Sequence, residues 1–256
     1  MPARALILNA DDLGYDPAVT RGLLRSMREG VVSSATFMVN TPHSQAAAQA
    51  AREGAPLAIG LHLNLARGLP LSPGFPGHLL VAGALSEALA AALPSEVVEA
   101  ETHAQLLRLE QLLGRGATHI DVHKHLHRHP AVLQGLARAA RAAGLPVRSI
   151  DAQMRRALEE AGVATNQHLL GDAGTEPYWT LEQLQQQLAQ LPPDGVVELM
   201  CHPGYAPETL RSGYGAQREV ELRTFLHPQA RALLEGCGVP VADFRVLHAG
   251  ASGPRP

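Results

Sequence analysis

The sequence predicts an α/β protein with mostly parallel strands, closed as a (β/α) TIM-like barrel, regular or distorted. Three observations predict it. Short apolar runs alternate with longer amphipathic ones along the whole chain, the pattern of strand–helix repeats on a parallel sheet. About eight such runs fit into the 256 residues, a spacing that suits a small barrel. No GxGxxG or GxxxxGKS/T motif follows any of the runs, which removes the usual reason to prefer an open doubly wound sheet, the second choice.

The strands are expected at 6–9, 35–39, 58–63, 119–123, 147–150, 165–169, 196–201 and 241–246. Each is short and β-branched or Leu-rich, as strands buried on both faces tend to be. Helices between them have readable ends. Asp16 caps the first, Pro17 takes its first position and Gly30 stops it. Thr41-Pro42 opens a second and Gly54 closes it. Ser95 precedes a long helix that ends at Gly114, and another runs from Pro130 to about Gly144. Asp151 caps one that stops at Gly162, and Thr180 with Gln183 has capping-box spacing. A last helical stretch, about 216–235, must break at His227-Pro228, because proline cannot continue the hydrogen-bond ladder. Three prolines and four glycines between Gly68 and Gly83 read as a long loop. Residues 1–249 are expected to form a single domain, with 250–256 a flexible tail.

Composition narrows the function. The chain is 46% hydrophobic but 4% aromatic, with a formal net charge of −3. A nucleic-acid footprint would need a clustered basic face. No apolar run approaches the roughly 20 residues that span a bilayer. Acidic residues arrive too early at the N-terminus for a secretory signal. Two scattered cysteines, Cys201 and Cys237, fit a reducing cytoplasm. Histidine is the outlier: 13 residues, five of them between His119 and His129.

Sites on parallel sheets form where strands end. Four expected strands end in imidazole or carboxylate: Asp11-Asp12, His62, His123 and His202. Period-2 alternation places His119, Asp121 and His123 on one face, and Glu198, Met200 and His202 on another. Adjacent Asp11 and Asp12 repel each other unless a cation sits nearby. One could ligate a metal while the other acts as a base on water, although an Asx turn is the alternative. His62 reads as a core histidine or a ligand. His125, His127 and His129 compete with His123, since all four would line one face of an extended chain. One Asp and two His suit Zn²⁺, Fe²⁺, Mn²⁺ or Co²⁺, whereas Mg²⁺ prefers an all-oxygen shell. His202, before a proline turn, could protonate a leaving group, and Tyr205 could bond or stack on a sugar. Arg148 could orient substrate or an active-site carboxylate. A metal-dependent phosphoesterase and a non-catalytic sugar- or metal-binding module are the competing readings.

The motifs NADDLG at 9–14, GLHLN at 60–64, THIDVHKHLH at 118–127 and ELMCHPGY at 198–205 together resemble the YdjC-like carbohydrate deacetylases, a group that includes chitooligosaccharide deacetylase and hopanoid-biosynthesis-associated members. VxSxTxMVN, Val32 to Asn40, is similar to the same family's second-strand segment. Leu13 and Lys124 depart from the family pattern. The resemblance implies a barrel-like fold, one divalent metal and hydrolysis of an N-acetyl group on an amino sugar. It implies Asp12, His62 and His123 as metal ligands, Asp11 as the base and His202 as the acid; Tyr205, Arg148 and His125 are expected toward the substrate from their places at the strand ends. Family habit implies Mg²⁺ and a homodimer. The segments 70–91 and 171–180 are expected to shape substrate choice.

Overall fold

A computed structural model describes residues 4–249; the expected flexible tail, 250–256, lies outside the described residues. The central strand is β1 (Ala5–Leu13), buried along its whole length. It pairs in parallel with β6 (Val196–Cys201) from Ala5↔Val196 to Ala10↔Cys201. On its other edge lies β2 (Ser34–Phe37), followed by β3 (Ile59–Leu63) and β4 (Ile120–Val122), while β5 (His168–Leu170) flanks β6. Every pairing is parallel, so each crossover runs outside the sheet through helices.

The curled sheet is joined at its open side by thin bonding rather than a full ladder. Ile120 donates to the Pro146 carbonyl and accepts from Arg148, and Val147 donates to Ala164. The Asn166 side chain completes the seam by accepting from the Ser149 amide at 2.7 Å and donating to its carbonyl at 3.0 Å. This corrects two expected strands. The 147–150 run is a single bridge, because Pro146 has no N–H to extend it and a side chain takes the place of the next strand. The 165–169 run begins later, at His168. The 241–246 run is also cut down. Only Val241–Ala242 pairs, forming β7 against Leu6 and Ile7, and a short helix (Val246–Ala249) follows. The barrel is therefore distorted, with seven positions around its ring.

The helices fall near their signals. The first, α1 (Pro17–Arg28), is capped by Asp16, which accepts from Ala18. Next come α2 (Ser44–Arg52) and α3 (Ser95–Leu113), the latter ending on left-handed Gly114. Then α4 (Pro130–Ala143), α5 (Ala152–Glu160) and α6 (Leu181–Ala189) follow. The last expected helix breaks at His227, giving α7 (Ala216–Leu226) and α8 (Pro228–Gly236). None among the described residues is long and apolar enough to cross a membrane. The long loop is tied down from α3: buried Glu101 accepts from the amides of Leu71 and Ser72 at 2.8–3.0 Å.

Two local features position the site. The β1–β2 register shifts between Ala10 and Leu13, and Asp12 adopts a left-handed φ of 77°. A regular strand would send Asp11 and Asp12 to opposite faces. The irregularity and the left-handed residue, which aspartate tolerates better than most, let both line one cleft. The second feature is Gly60. A Cβ there would meet the His119 ring at 2.4 Å, so glycine on β3 is what lets His119 stack on Phe244 with ring centroids 3.7 Å apart.

Candidate active site

Three strand ends bring Asp12, His62 and His123 together. Oδ1 of Asp12 lies 3.2 Å from Nε2 of His62 and 3.1 Å from Nδ1 of His123. The two imidazole nitrogens are 3.1 Å apart. All three residues are buried, and apart from these two imidazoles Asp12 Oδ1 has no hydrogen-bond partner in the protein. Carboxylate and imidazole donors that close reach one ion at bond lengths of about 2.0–2.2 Å, so the set fits a divalent metal.

His62 is oriented from behind. Its Nδ1 lies 2.6 Å from Asp121 Oδ1, and the other Asp121 oxygen accepts from Thr36 at 2.9 Å. A carboxylate on one imidazole nitrogen turns the other toward a metal. Burial alone would lower the His62 pKa, but the charge of Asp121 and the bonds to Asp12 and Asp121 raise it to about 10.

Asp11 is held differently. Nη1 and Nη2 of Arg148 donate to its two oxygens at 2.6 and 2.7 Å. The same guanidinium donates from Nε to Glu198 at 2.7 Å and reaches Asp121 Oδ2 at 2.8 Å. Burial would raise the Asp11 pKa, but the charge and hydrogen bonds of Arg148 hold it well below the usual carboxylate range. Glu198, with burial dominant, is pushed up to about 7. A second converging set, Asp11, His62 and Asp121, is thus already occupied by Arg148 and by the His62 proton.

His202, after β6, is buried with Nδ1 unpartnered. Burial lowers its pKa to about 4 against the pull of Asp11 and Asp12. Its amide donates to Glu221 at 2.6 Å, and the other Glu221 oxygen accepts from Tyr214 Oη at 2.5 Å. Tyr214 meets the His202 ring edge-on at 5.4 Å.

These groups line a cleft of about 340 Å³ together with Tyr15, Lys124, His125, Asp172 and Arg218. A larger groove of about 560 Å³ lies between α4 and α5, outside the barrel and away from the donor triangle.

A family model described as YdjC-like protein matches residues 5–236. The chain belongs to the YdjC-like family. It is 34% identical to a carbohydrate deacetylase of Brevibacillus brevis, covering 94% of this chain and 99% of that one. It is also 34% identical to a chitooligosaccharide deacetylase of Serratia marcescens, over 95% and 99% of the two chains. Among solved structures, an Enterococcus faecalis protein named for cellobiose-phosphate cleavage superposes with a TM-score of 0.84 at 29% identity, covering 96% of this chain and 99% of that one. A family 4 acetyl xylan esterase from Clostridium thermocellum, solved with a cobalt ion, superposes at 0.52 with 13% identity over 98% and 93% of the chains; that likeness is one of fold.

In this YdjC-like chain some expected positions move. Arg148 is fully buried and bonded to three carboxylates, so it is placed behind Asp11 rather than on a substrate. Tyr205 faces α1, with its hydroxyl 3.2 Å from Arg25; Tyr15 and Tyr214 line the cleft instead. The histidine run is not extended. Lys124 and His125 both take left-handed φ, 56° and 52°, and the chain coils over His123–Arg128. That coil leaves His123 and His125 in the cleft and sends His127 to the groove beside α4. Lys124 pairs with Glu87 across the rim.

Sequence reasoning missed the contribution of α7. Arg218, Glu221, Leu222 and Phe225 are all buried, at the i, i+3, i+4, i+7 spacing of a core-facing stripe. Two charges on such a stripe were the readable signal. Arg218 Nη2 donates to Asp12 Oδ2 at 2.5 Å. Burial would raise the Asp12 pKa, but the charge of Arg218 and the bonds from His123 and His62 hold it well below the ordinary value.

Proposed function

We propose that this chain is a metal-dependent hydrolase that releases acetate from an N-acetylated amino sugar, with one divalent ion held by Asp12, His62 and His123. The observation that carries this is the buried triangle of one carboxylate and two imidazole donors, 3.1–3.2 Å on each side, beside a second carboxylate held separately by Arg148. Relatives that match nearly the whole chain carry the names carbohydrate deacetylase and chitooligosaccharide deacetylase. Two imidazoles and one carboxylate favour Zn²⁺ or another transition metal over Mg²⁺. Two free cysteines suit a cytoplasmic setting.

An ion held there polarises an acyl oxygen and acidifies water. The chain supplies the proton traffic. Asp11, ionised at any working pH, accepts a proton from the attacking water. The water oxygen bonds to the acetyl carbon, the C–N bond breaks and acetate forms. The amine nitrogen leaves with a proton from His202. Since burial keeps His202 neutral at pH 7, it takes up the proton that Asp11 receives from the water and passes it to the departing nitrogen, so Asp11 and His202 both end the turnover as they began. Tyr15, Tyr214 and His125 line the path a sugar would take.

Assaying acetate and phosphate release side by side, on N-acetylglucosamine oligomers and on sugar phosphates, tests the reading. Acetate alone is the expected product. Phosphate release without acetate would move the chain to the phosphoesterases.

A further inference from the structure

Arg218, in the lining of the cleft, carries an uncommitted donor. Its Nη2 is fixed on Asp12 at 2.5 Å and its Nε on the Tyr214 carbonyl at 2.9 Å. Its Nη1 is buried with no partner in the protein, although the residue is only 3% exposed. An unpaired buried N–H on a cation is costly, and a cation keeps such a group where something else satisfies it. The other buried guanidinium, Arg148, has Nε, Nη1 and Nη2 all on carboxylates.

The position of Arg218 says what that partner is. Its guanidinium carbon sits 5.5 Å from the Tyr15 ring centre and 5.9 Å from that of Tyr214. Tyr15 in turn lies 6.1 Å from the His123 ring, and Tyr214 lies 5.4 Å from His202. Arg218 thus lies in the cleft wall between a ring that neighbours His123 and a ring that neighbours His202. Because Nη2 is pinned and a guanidinium is planar and rigid, the direction of Nη1 is set before any ligand arrives. A preset N–H aimed at an oxygen that gains negative charge is worth far more in a dry cleft than in water.

We propose that Arg218 is a catalytic residue: its Nη1 donates a hydrogen bond to the acetyl oxygen as that oxygen becomes negative, and then to the acetate product. This rests on the deacetylase reading above. It makes Arg218 two-handed, with one nitrogen holding Asp12 and the other holding the reacting acyl group. A lysine ammonium has donors enough but not the rigid fork that fixes one nitrogen on Asp12 while aiming another.

The test separates the two hands. Metal affinity, steady-state kinetics at saturating metal, and acetate binding to the metal-loaded protein by calorimetry are measured for the wild type, Arg218→Lys and Arg218→Met. The expected result is a kcat lower by about 100-fold or more with metal saturating, a KM within a few-fold, and acetate binding at least tenfold weaker. If saturating metal restores kcat, or acetate binds the variants as it binds the wild type, Arg218 acts only through Asp12 and the proposal is overturned. A readout on the unaltered protein guards against misfolded variants: ¹⁵N signals of the Arg218 guanidinium should shift when acetate is added, and no shift would also overturn it. If the wild type released no acetate from any sugar, the deacetylase reading would fail. The acetate titration and the ¹⁵N shift would still report on Arg218 by themselves.

Discussion

Asp121 Oδ1 lies 2.6 Å from Nδ1 of His62, while Nε2 of the same ring faces Asp12 at 3.2 Å. One imidazole is thus held between two carboxylates. In the metal-free protein it keeps a proton that an ordinary histidine would lose, with its pKa raised to about 10. Metal must expel that proton to reach Nε2. Below about pH 10, binding should therefore release close to one proton from His62 and tighten about tenfold for each unit rise in pH. Calorimetric titration of Zn²⁺ in buffers of different ionisation enthalpy measures the release. A buffer-independent heat would show that the site is not loaded this way.

In the proposed site, Asp121 would act on the ion only through His62. Asp121→Asn keeps the shape of the side chain but removes the negative charge that orients and loads the ring. Metal affinity should fall by roughly 10- to 100-fold, with the metal count per chain still one at saturation. Competition against a chromophoric chelator reads this directly, and an unchanged affinity would leave Asp121 a purely structural group.

Arg148 pairs with Asp11, Asp121 and Glu198 at once, with no exposure to water. Arg148→Met leaves those carboxylates buried without their cation. Removing one partner of a buried ion pair costs about 3–5 kcal/mol, and the loss here should reach at least that range. Urea unfolding of the metal-free protein is the appropriate measurement. A change below about 1 kcal/mol, the scale of a surface pair, would contradict the network.

Glu221 gives a pH signature. Burial pushes its pKa up to about 7 from an ordinary 4.5. Between those values the folded protein holds a proton that the unfolded chain releases. The contribution is present in full below about pH 4.5 and is lost as pH rises to about 7, amounting to about 3 kcal/mol. Glu221→Gln cannot titrate. The stability advantage of wild type over variant should therefore shrink as pH rises from 4.5 to 7.5, measured by urea midpoints on metal-free samples. Parallel curves would place the Glu221 titration elsewhere.

The part of this legible in the sequence was the part governed by short-range rules. The Asp16 cap with Pro17, the Gly114 stop and the break at His227-Pro228 depend on a few neighbouring residues, and β6 spans the expected residues. That the aspartate pair, His62 and the histidine run would meet was legible because strand ends collect at one side of a parallel sheet, while the choice of Asp12 and His123 within it followed from the family resemblance. Three things were hidden. The left-handed pair Lys124-His125 coils the chain directly after His123, and no glycine or asparagine marks the turn in the sequence. The 147–150 run looked like a strand because its apolar pattern is that of one, yet its outer neighbour is a side chain, Asn166. Arg218 and Glu221 were hidden because strand ends drew attention away from a helix whose buried stripe carries charge.

Asp12, His62 and His123 are proposed to hold one divalent ion on which acetate release depends. The most direct test titrates Zn²⁺, Co²⁺, Mn²⁺ or Mg²⁺ into chelator-stripped protein while following acetate release from N-acetylglucosamine oligomers, in parallel with His123→Ala. The expected outcome is no release from stripped protein, a rise that levels off at one ion per chain, and no comparable rise in the variant. Full activity after stripping, or an undiminished response from His123→Ala, would contradict it.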